Sequence, residues 1–184
     1  MIFAVIAILV ILFLVVFYNR LVKVKNNVEN AFADIDVQLK ARFNLVENLV
    51  NTVKWYAKHE KEVLENVTKA RTNFLNASDV KWKLQADNML SGALKSLFAV
   101  SENYPDLKAN QNFLKLQEEL SDLENKIAAA RRYYNSAIKE YDNALEVFPS
   151  NLIANIFNFK KIKNYFETKE EEKAVPKVDF SDKK

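Results

Sequence analysis

The chain has 184 residues and a mass of 21.3 kDa, room for one domain plus one special segment. A single glycine excludes a Rossmann fingerprint, a P-loop and a GxSxG nucleophile elbow, and the lack of cysteine excludes disulfides, thiolate zinc sites and cysteine nucleophiles. The net charge of +3, on 28% charged residues, gives no electrostatic case for a nucleic-acid partner.

From Ile2 to Tyr18 the chain reads IFAVIAILVILFLVVFY, without a charge, and the first charged side chain is Arg20. As a helix this run spans roughly 26 Å, just reaching across a thin hydrocarbon core of about 27 to 30 Å. A cleaved signal would want a basic stretch before the run and small residues after it. Here only the terminal amine precedes it, and Phe17-Tyr18-Asn19-Arg20 follows, which points to an uncleaved anchor. Arg20, Lys23 and Lys25 lie just beyond the run. The positive-inside rule therefore predicts an outside N-terminus, a cytoplasmic body, and Tyr18 in the interfacial aromatic belt.

No Pro or Gly follows until Gly92, so the helix is predicted to run on to about residue 76. Its apolar stripe is Val24, Val28, Ala31, Ile35, Leu39, Phe43, Val46, Val50, Val53, Ala57, Leu64 and Val67, spaced by three or four except for the step from Ala57 to Leu64. Asn76-Ala77-Ser78-Asp79 ends it, with Ser78 or Asp79 as N-cap of a second helix whose stripe is Trp82, Ala86, Met89, Ala93, Leu97, Val100 and Tyr104. Pro105 breaks that pattern, and Asp106 lies near the next start. The third helix carries the most regular seam: Phe113, Leu116, Leu120, Leu123, Ile127, Ala130, Tyr134, Ala137, Tyr141, Ala144 and Phe148. Pro149 closes it, and Ser150 or Asn151 can cap a short fourth helix to about Phe166.

These elements predict an all-α fold in which a single transmembrane helix continues into an antiparallel four-helix bundle with long helices. The divisions are an anchor over 1–19, a cytoplasmic bundle over 20–166 and a charged flexible tail over 167–184. Helices of about 55, 24, 40 and 16 residues cannot all pair side by side. Either the first is bent or broken, or an overhanging apolar stretch is buried against neighbouring chains.

The run Ile35-Asp36-Val37-Gln38-Leu39-Lys40, followed by Arg42, Asn48-Leu49-Val50, Thr52-Val53-Lys54, Tyr56-Ala57, His59-Glu60, Val63-Leu64 and Ala70-Arg71, resembles the signature region of the bacterial LemA family. Further matches are Tyr104-Pro105-Asp106-Leu107-Lys108, Asn112-Phe113, Ala129-Ala130-Arg131, Tyr134-Asn135, Phe148-Pro149, Leu152-Ile153-Ala154, Tyr165-Phe166-Glu167 and Val178-Asp179-Phe180. The likeness covers essentially the whole chain. Glu47 and Trp55 depart from the family's common Pro and Gly. The resemblance implies a single-pass protein of the bacterial cytoplasmic membrane with a helical cytoplasmic domain and no established catalytic activity. One branch is associated with magnetosome membrane formation, which by analogy implies a role in membrane organisation.

The remaining residues offer little chemistry. His59 is the only histidine, whereas a zincin needs a second at the position of Val63 and a di-iron bundle needs two ExxH units. Asp34 and Asp36 point some 200° apart around a helix, and Glu118 with Asp122 sits between Lys115 and Lys126 on a solvated face. No catalytic, cofactor-binding or metal-binding residue is therefore assigned, and no cofactor. Arginine is scarce: Arg20, Arg42, Arg71, Arg131 and Arg132. Either codon bias accounts for this, or Arg42, Arg71 and Arg131 make bidentate inter-helix pairs with carboxylates such as Asp36. Among the aromatics Tyr134, Tyr141 and Trp82 read as packing residues and Trp55 as the candidate for an exposed contact, while Gly92 reads as allowing close helix approach. The expected function is a non-enzymatic, self-associating membrane scaffold, with the lipid bilayer and copies of itself as partners. The alternative is an adaptor for a membrane or signalling protein.

Overall fold

A computed structural model describes residues 1–77, 80–162 and 165–166. The described residues are helical or irregular, in the order α1 (Ile2–Tyr56), α2 (Lys61–Leu75), α3 (Val80–Ser101), α4 (Pro105–Lys108), α5 (Gln111–Glu146) and α6 (Ser150–Ile156). Among the described residues one helix, α1, is long and apolar enough to cross a membrane. Ser78, Asp79 and the tail over 167–184 lie outside the described residues.

The expected first helix does not continue to residue 76. It ends at Tyr56, and Ala57 leaves helical geometry with φ −112° and ψ 53°. Its side chain is buried, whereas Lys58 and His59 face solvent in the turn. The seven-residue gap in the apolar stripe marks this turn: with no core-facing side chain between Ala57 and Val63, nothing holds another turn of helix against the core. The chain reverses completely there. Phe74 of α2 stacks on Phe43 of α1 with ring centroids 3.7 Å apart, and Arg71 reaches back to Glu47 at 2.6 Å.

Cross-contacts give the remaining directions. Tyr104 beside Glu60 and Asn73 beside Met89 set α3 antiparallel to α2. Tyr133 beside Asn27 and Asn110 beside Tyr56 set α5 antiparallel to α1. The buried line of α1 runs through Leu21, Val28, Ala31, Ile35, Leu39, Phe43, Val46, Leu49 and Val53, and that of α5 through Phe113, Leu120, Ile127, Tyr134, Ala137, Ile138 and Tyr141. Both follow the expected seams in the main, but Leu49 is buried in place of Val50, Leu21 and Ile138 join the buried lines, Val24, Leu116, Leu123, Ala130 and Ala144 are only half-buried, and Phe148 lies beyond the end of α5 and is exposed. On α3 the buried line is Ala86, Leu90, Leu94 and Leu97, and Trp82 and Met89 of the expected stripe are exposed. The face is rotated because Asp87 is buried too.

The expected fourth helix to Phe166 stops after seven residues. Asn158 takes φ 55°, the Phe159 N–H reaches the Ala154 carbonyl at 2.9 Å and the Asn158 N–H reaches that of Asn155 at 3.3 Å. This is a Schellman closure with asparagine in the left-handed position. Ser150 does not cap α6; its hydroxyl donates to the Ala144 and Val147 carbonyls and ties α6 to the end of α5. The described residues that follow return along α5 without helix. Tyr141 Oη donates to the Lys160 carbonyl at 3.2 Å, and the Asn135 side chain bonds both the N–H and the carbonyl of Phe166. Phe166 is buried edge-on against Tyr134, which in turn meets Phe32 of α1. The seam of α1 that α2 does not reach is thus covered within the same chain.

Gly92 is exposed and a Cβ there meets nothing within 4 Å, so the expected close helix approach is absent. Gly92→Ala should stabilise the protein by about 0.5 to 1 kcal/mol through helix propensity alone. A denaturation midpoint unchanged or lowered by this substitution would mean that the position is packed after all.

Candidate functional site

The densest polar feature is a charge cluster inside the helical core. Arg42, on the buried face of α1, is 3% exposed, and Asp87 of α3 is 1% exposed. Arg42 Nη1 donates to Asp87 Oδ1 at 2.8 Å and to Ser91 Oγ at 3.2 Å, and its Nη2 donates to Glu124 Oε1 of α5 at 3.1 Å. Arg131 of α5 donates to the second oxygen of Asp87 and lies 5.3 Å over the Phe166 ring. One guanidinium therefore joins three helices, and one carboxylate is held by two guanidiniums. The buried charges, Arg42 and Asp87, pair with each other as burial demands, while the Arg131 and Glu124 side chains reach them from the rim, partly and mostly exposed.

Arginine is needed here because its planar fork addresses two carboxylates at once, which a lysine ammonium does less well. Arg42, Arg71 and Arg131 all make inter-helix pairs as expected from sequence, but each meets a given carboxylate through a single hydrogen bond rather than the expected bidentate one, and none takes Asp36. Asp36 pairs with Lys83 and, at 2.8 Å, with Lys40, while Arg42 and Arg131 share Asp87 and Arg71 takes Glu47. Partial burial pushes the Asp36 carboxyl up, but hydrogen bonds and charge from Lys40 and Lys83 outweigh it and hold it below its ordinary value of 3.8. Sequence reasoning missed Asp87, Ser91 and Glu124. The only trace of Asp87 is a charge inside the apolar spacing of α3.

His59 lies in the exposed turn after Ala57, and Asp34 is exposed on α1. Asp122 pairs with Lys126 at 2.7 Å on the outer face of α5, and Glu118 is exposed beside it. Among the described residues no group of three His, Asp or Glu side chains is placed to hold a metal ion. Tyr134 and Tyr141 are buried, and Trp55 is 78% exposed at the far end of α1. Beside it a cleft of about 600 Å³ runs between α1 and α2, lined by Val50, Lys54, Lys58, Lys61, Leu64, Glu65, Thr68 and Lys69. At the opposite end the side chains of residues 2–18 are largely exposed, although nearly all are apolar.

An exposed apolar helix of membrane length joined without a break to a packed helical body is consistent with a membrane-anchored helical protein. The chain belongs to the LemA family, whose profile matches residues 31–180. It is 30% identical over 141 residues to Protein LemA of Metamycoplasma hominis, covering 74% of this chain and 63% of that protein. It is 26% identical over 178 residues to Magnetosome protein MamQ 2 of Paramagnetospirillum magneticum, covering 83% and 65%. It is 23% identical over 176 residues to Magnetosome protein MamQ of Magnetospirillum gryphiswaldense, covering 82% and 65%. The chain thus spans just under two thirds of the length of these relatives.

Two outcomes follow from the ion pairs. Asp87→Asn should cost about 3 to 5 kcal/mol in urea unfolding, because it leaves Arg42 buried and poorly paired, whereas the Arg42→Met, Asp87→Leu double variant should cost less than that single change. A double variant as damaging as the sum of its singles would show that the charges do not act as a unit. Because the Asp36 carboxyl is lowered on folding, its contribution is full above the unfolded value and is lost as pH falls through the folded one. The stability gap between the protein and Asp36→Asn, measured from pH 6 downward, should therefore shrink below about pH 4. A gap independent of pH would contradict the pairing.

Proposed function

We propose that the chain is a non-enzymatic scaffold of the bacterial cytoplasmic membrane, anchored by α1 with its N-terminus outside. Its body is read as an antiparallel four-helix bundle made of α2, α3, α5 and the packed part of α1. The observation that carries this reading is the continuity of α1: a lipid-compatible surface over residues 2–18 turns into a buried core line from Leu21 onward, on one helix. Relatives named as magnetosome proteins support a role in membrane organisation. The engaged charge cluster supports structure over catalysis.

Self-association follows from confinement in two dimensions, where modest lateral contacts suffice. The α1 and α5 seams are buried within one chain, so contacts between copies run through the anchors and the exposed end at Trp55. The cleft beside Trp55, with Lys54, Lys58, Lys61 and Lys69, favours the second reading, an adaptor that takes an acidic segment of another membrane protein.

The mass of the detergent-extracted complex, with and without residues 1 to 19, separates these readings. A homogeneous homo-oligomer that shrinks on removal of the anchor is the expected result. A monomer carrying a stoichiometric foreign protein selects the adaptor, and a lone monomer in both forms contradicts both. Protease added to intact cells should spare the body and destroy it after lysis; cleavage in intact cells would reverse the topology.

A further inference from the structure

From Val147 to Phe159 the chain has thirteen residues without Asp, Glu, Lys, Arg or His, a longer uncharged run than any other after Arg20. Helix α6 sits inside it. Ile153 and Ala154 are buried against Leu21, with Leu14, Phe17, Ala144 and Leu145 packed around them. Tyr18 lies 4.8 Å from the Phe157 ring and 5.8 Å from that of Phe159. Phe148, Leu152 and Ile156 are exposed, Phe148 by 74% and Ile156 by 68%, and Phe157 is half-exposed beside Tyr18.

The contacts fix the height of this exposed face. Leu14 lies about 6 Å further along α1 than Tyr18, toward the N-terminus, at the helical rise. A helix packed on Leu14, Phe17, Tyr18 and Leu21 therefore stands where the anchor passes from hydrocarbon to headgroups. Apolar side chains of α6 pack on those of the anchor at Leu14 and Phe17, so the exposed face of α6 stands level with the last turns of the apolar run. The uncharged run is bounded in sequence by Glu146, which pairs with Lys161 at the end of α5, and by Lys160, while Arg20 and Lys23 follow Tyr18 on α1.

We propose that α6 is a membrane foot, with Phe148, Leu152, Ile156 and Phe157 seated in the boundary between lipid headgroups and acyl chains, beside the span of α1. This lipid contact is separate from the anchor and rests on the reading of α1 as a membrane helix. Interfacial amphipathic helices bury their apolar face about 5 to 10 Å into that boundary, the depth that the Leu14 and Phe17 contacts impose. A lone transmembrane helix is free to tilt and rotate, with its setting decided by packing and interfacial anchors. A foot on one side of α1 sets the direction in which the body leans and displaces lipid in one leaflet only.

The chain has no cysteine, so single labels can be placed without background. Bimane is attached to Val10→Cys, Phe148→Cys, Ile156→Cys or Lys58→Cys of the full chain in phosphatidylcholine and phosphatidylglycerol vesicles. The quenchers are lipids carrying a nitroxide near the headgroup end or near the methyl end of the acyl chain. Labels at 148 and 156 should lose fluorescence to the shallow quencher, the label at 10 more to the deep one, and the label at 58 to neither. Quenching at 10 with none at 148 and 156 overturns the foot and leaves the anchor standing. No quenching at 10 removes the anchor and the foot together. Self-quenching between labels at 156 without lipid quenching would mean that a second copy covers this face, and it also overturns the proposal.

Discussion

Everything in this molecule depends on one helix that carries two kinds of surface. Over residues 2–18 the side chains of α1 are apolar and turned outward, and from Leu21 the same helix presents a single buried line to its neighbours. A helix satisfies its own backbone hydrogen bonds in either medium, so only its side chains need to change at the boundary. They change within a few residues: Phe17 and Tyr18 give way to Asn19 and Arg20. An unbroken helix transmits its orientation, so the position of the anchor sets that of the body. Helix α5 runs back along α1 almost to this boundary, where Ala144 and Leu145 pack near Leu21, and α6 closes the corner.

Within the body, apolar packing holds the helices together while the charge cluster fixes how they are stacked. A seam of Leu, Ile and Ala tolerates a slip of one turn, because the pattern repeats. Arg42, Asp87, Glu124 and Arg131 do not repeat. A slip of α3 against α1 would leave buried charges unpaired, at a cost of several kcal/mol. Arg71 with Glu47 does the same for α2 at the rim, at lower stakes because both are partly exposed. The Asn135 side chain, bonding both backbone groups of Phe166, fixes the returning segment in the same manner.

The seams of α1 and α5 were legible in the sequence because spacing by three and four residues records burial, and the outcome follows it from Val28 to Val53 and from Phe113 to Tyr141 except that Leu49 replaces Val50 and Ile138 is added. Other features are written more faintly. The reversal after Tyr56 uses neither Pro nor Gly, and its trace is an absence, the missing apolar residue between Ala57 and Val63. The stop of α6 is written in one residue, Asn158, whose tolerance of positive φ is a weak signal alone. Scarce arginine pointed to Arg42, Arg71 and Arg131, but their carboxylates lie 24 to 82 residues away along the chain and carry no mark in the local pattern. Asp87 even misleads, since a buried charge reads as a solvent position and turns the inferred face of α3 toward Met89.

Hydrogen exchange of the full chain in lipid nanodiscs, resolved by mass spectrometry, tests the shared helix most directly. Continuous α1 requires that amides from Val16 to Lys25 exchange as slowly as those from Ala31 to Val46. A fast-exchanging gap between Asn19 and Asn26 would mean a hinge between anchor and body, and the body would no longer inherit its position from the membrane.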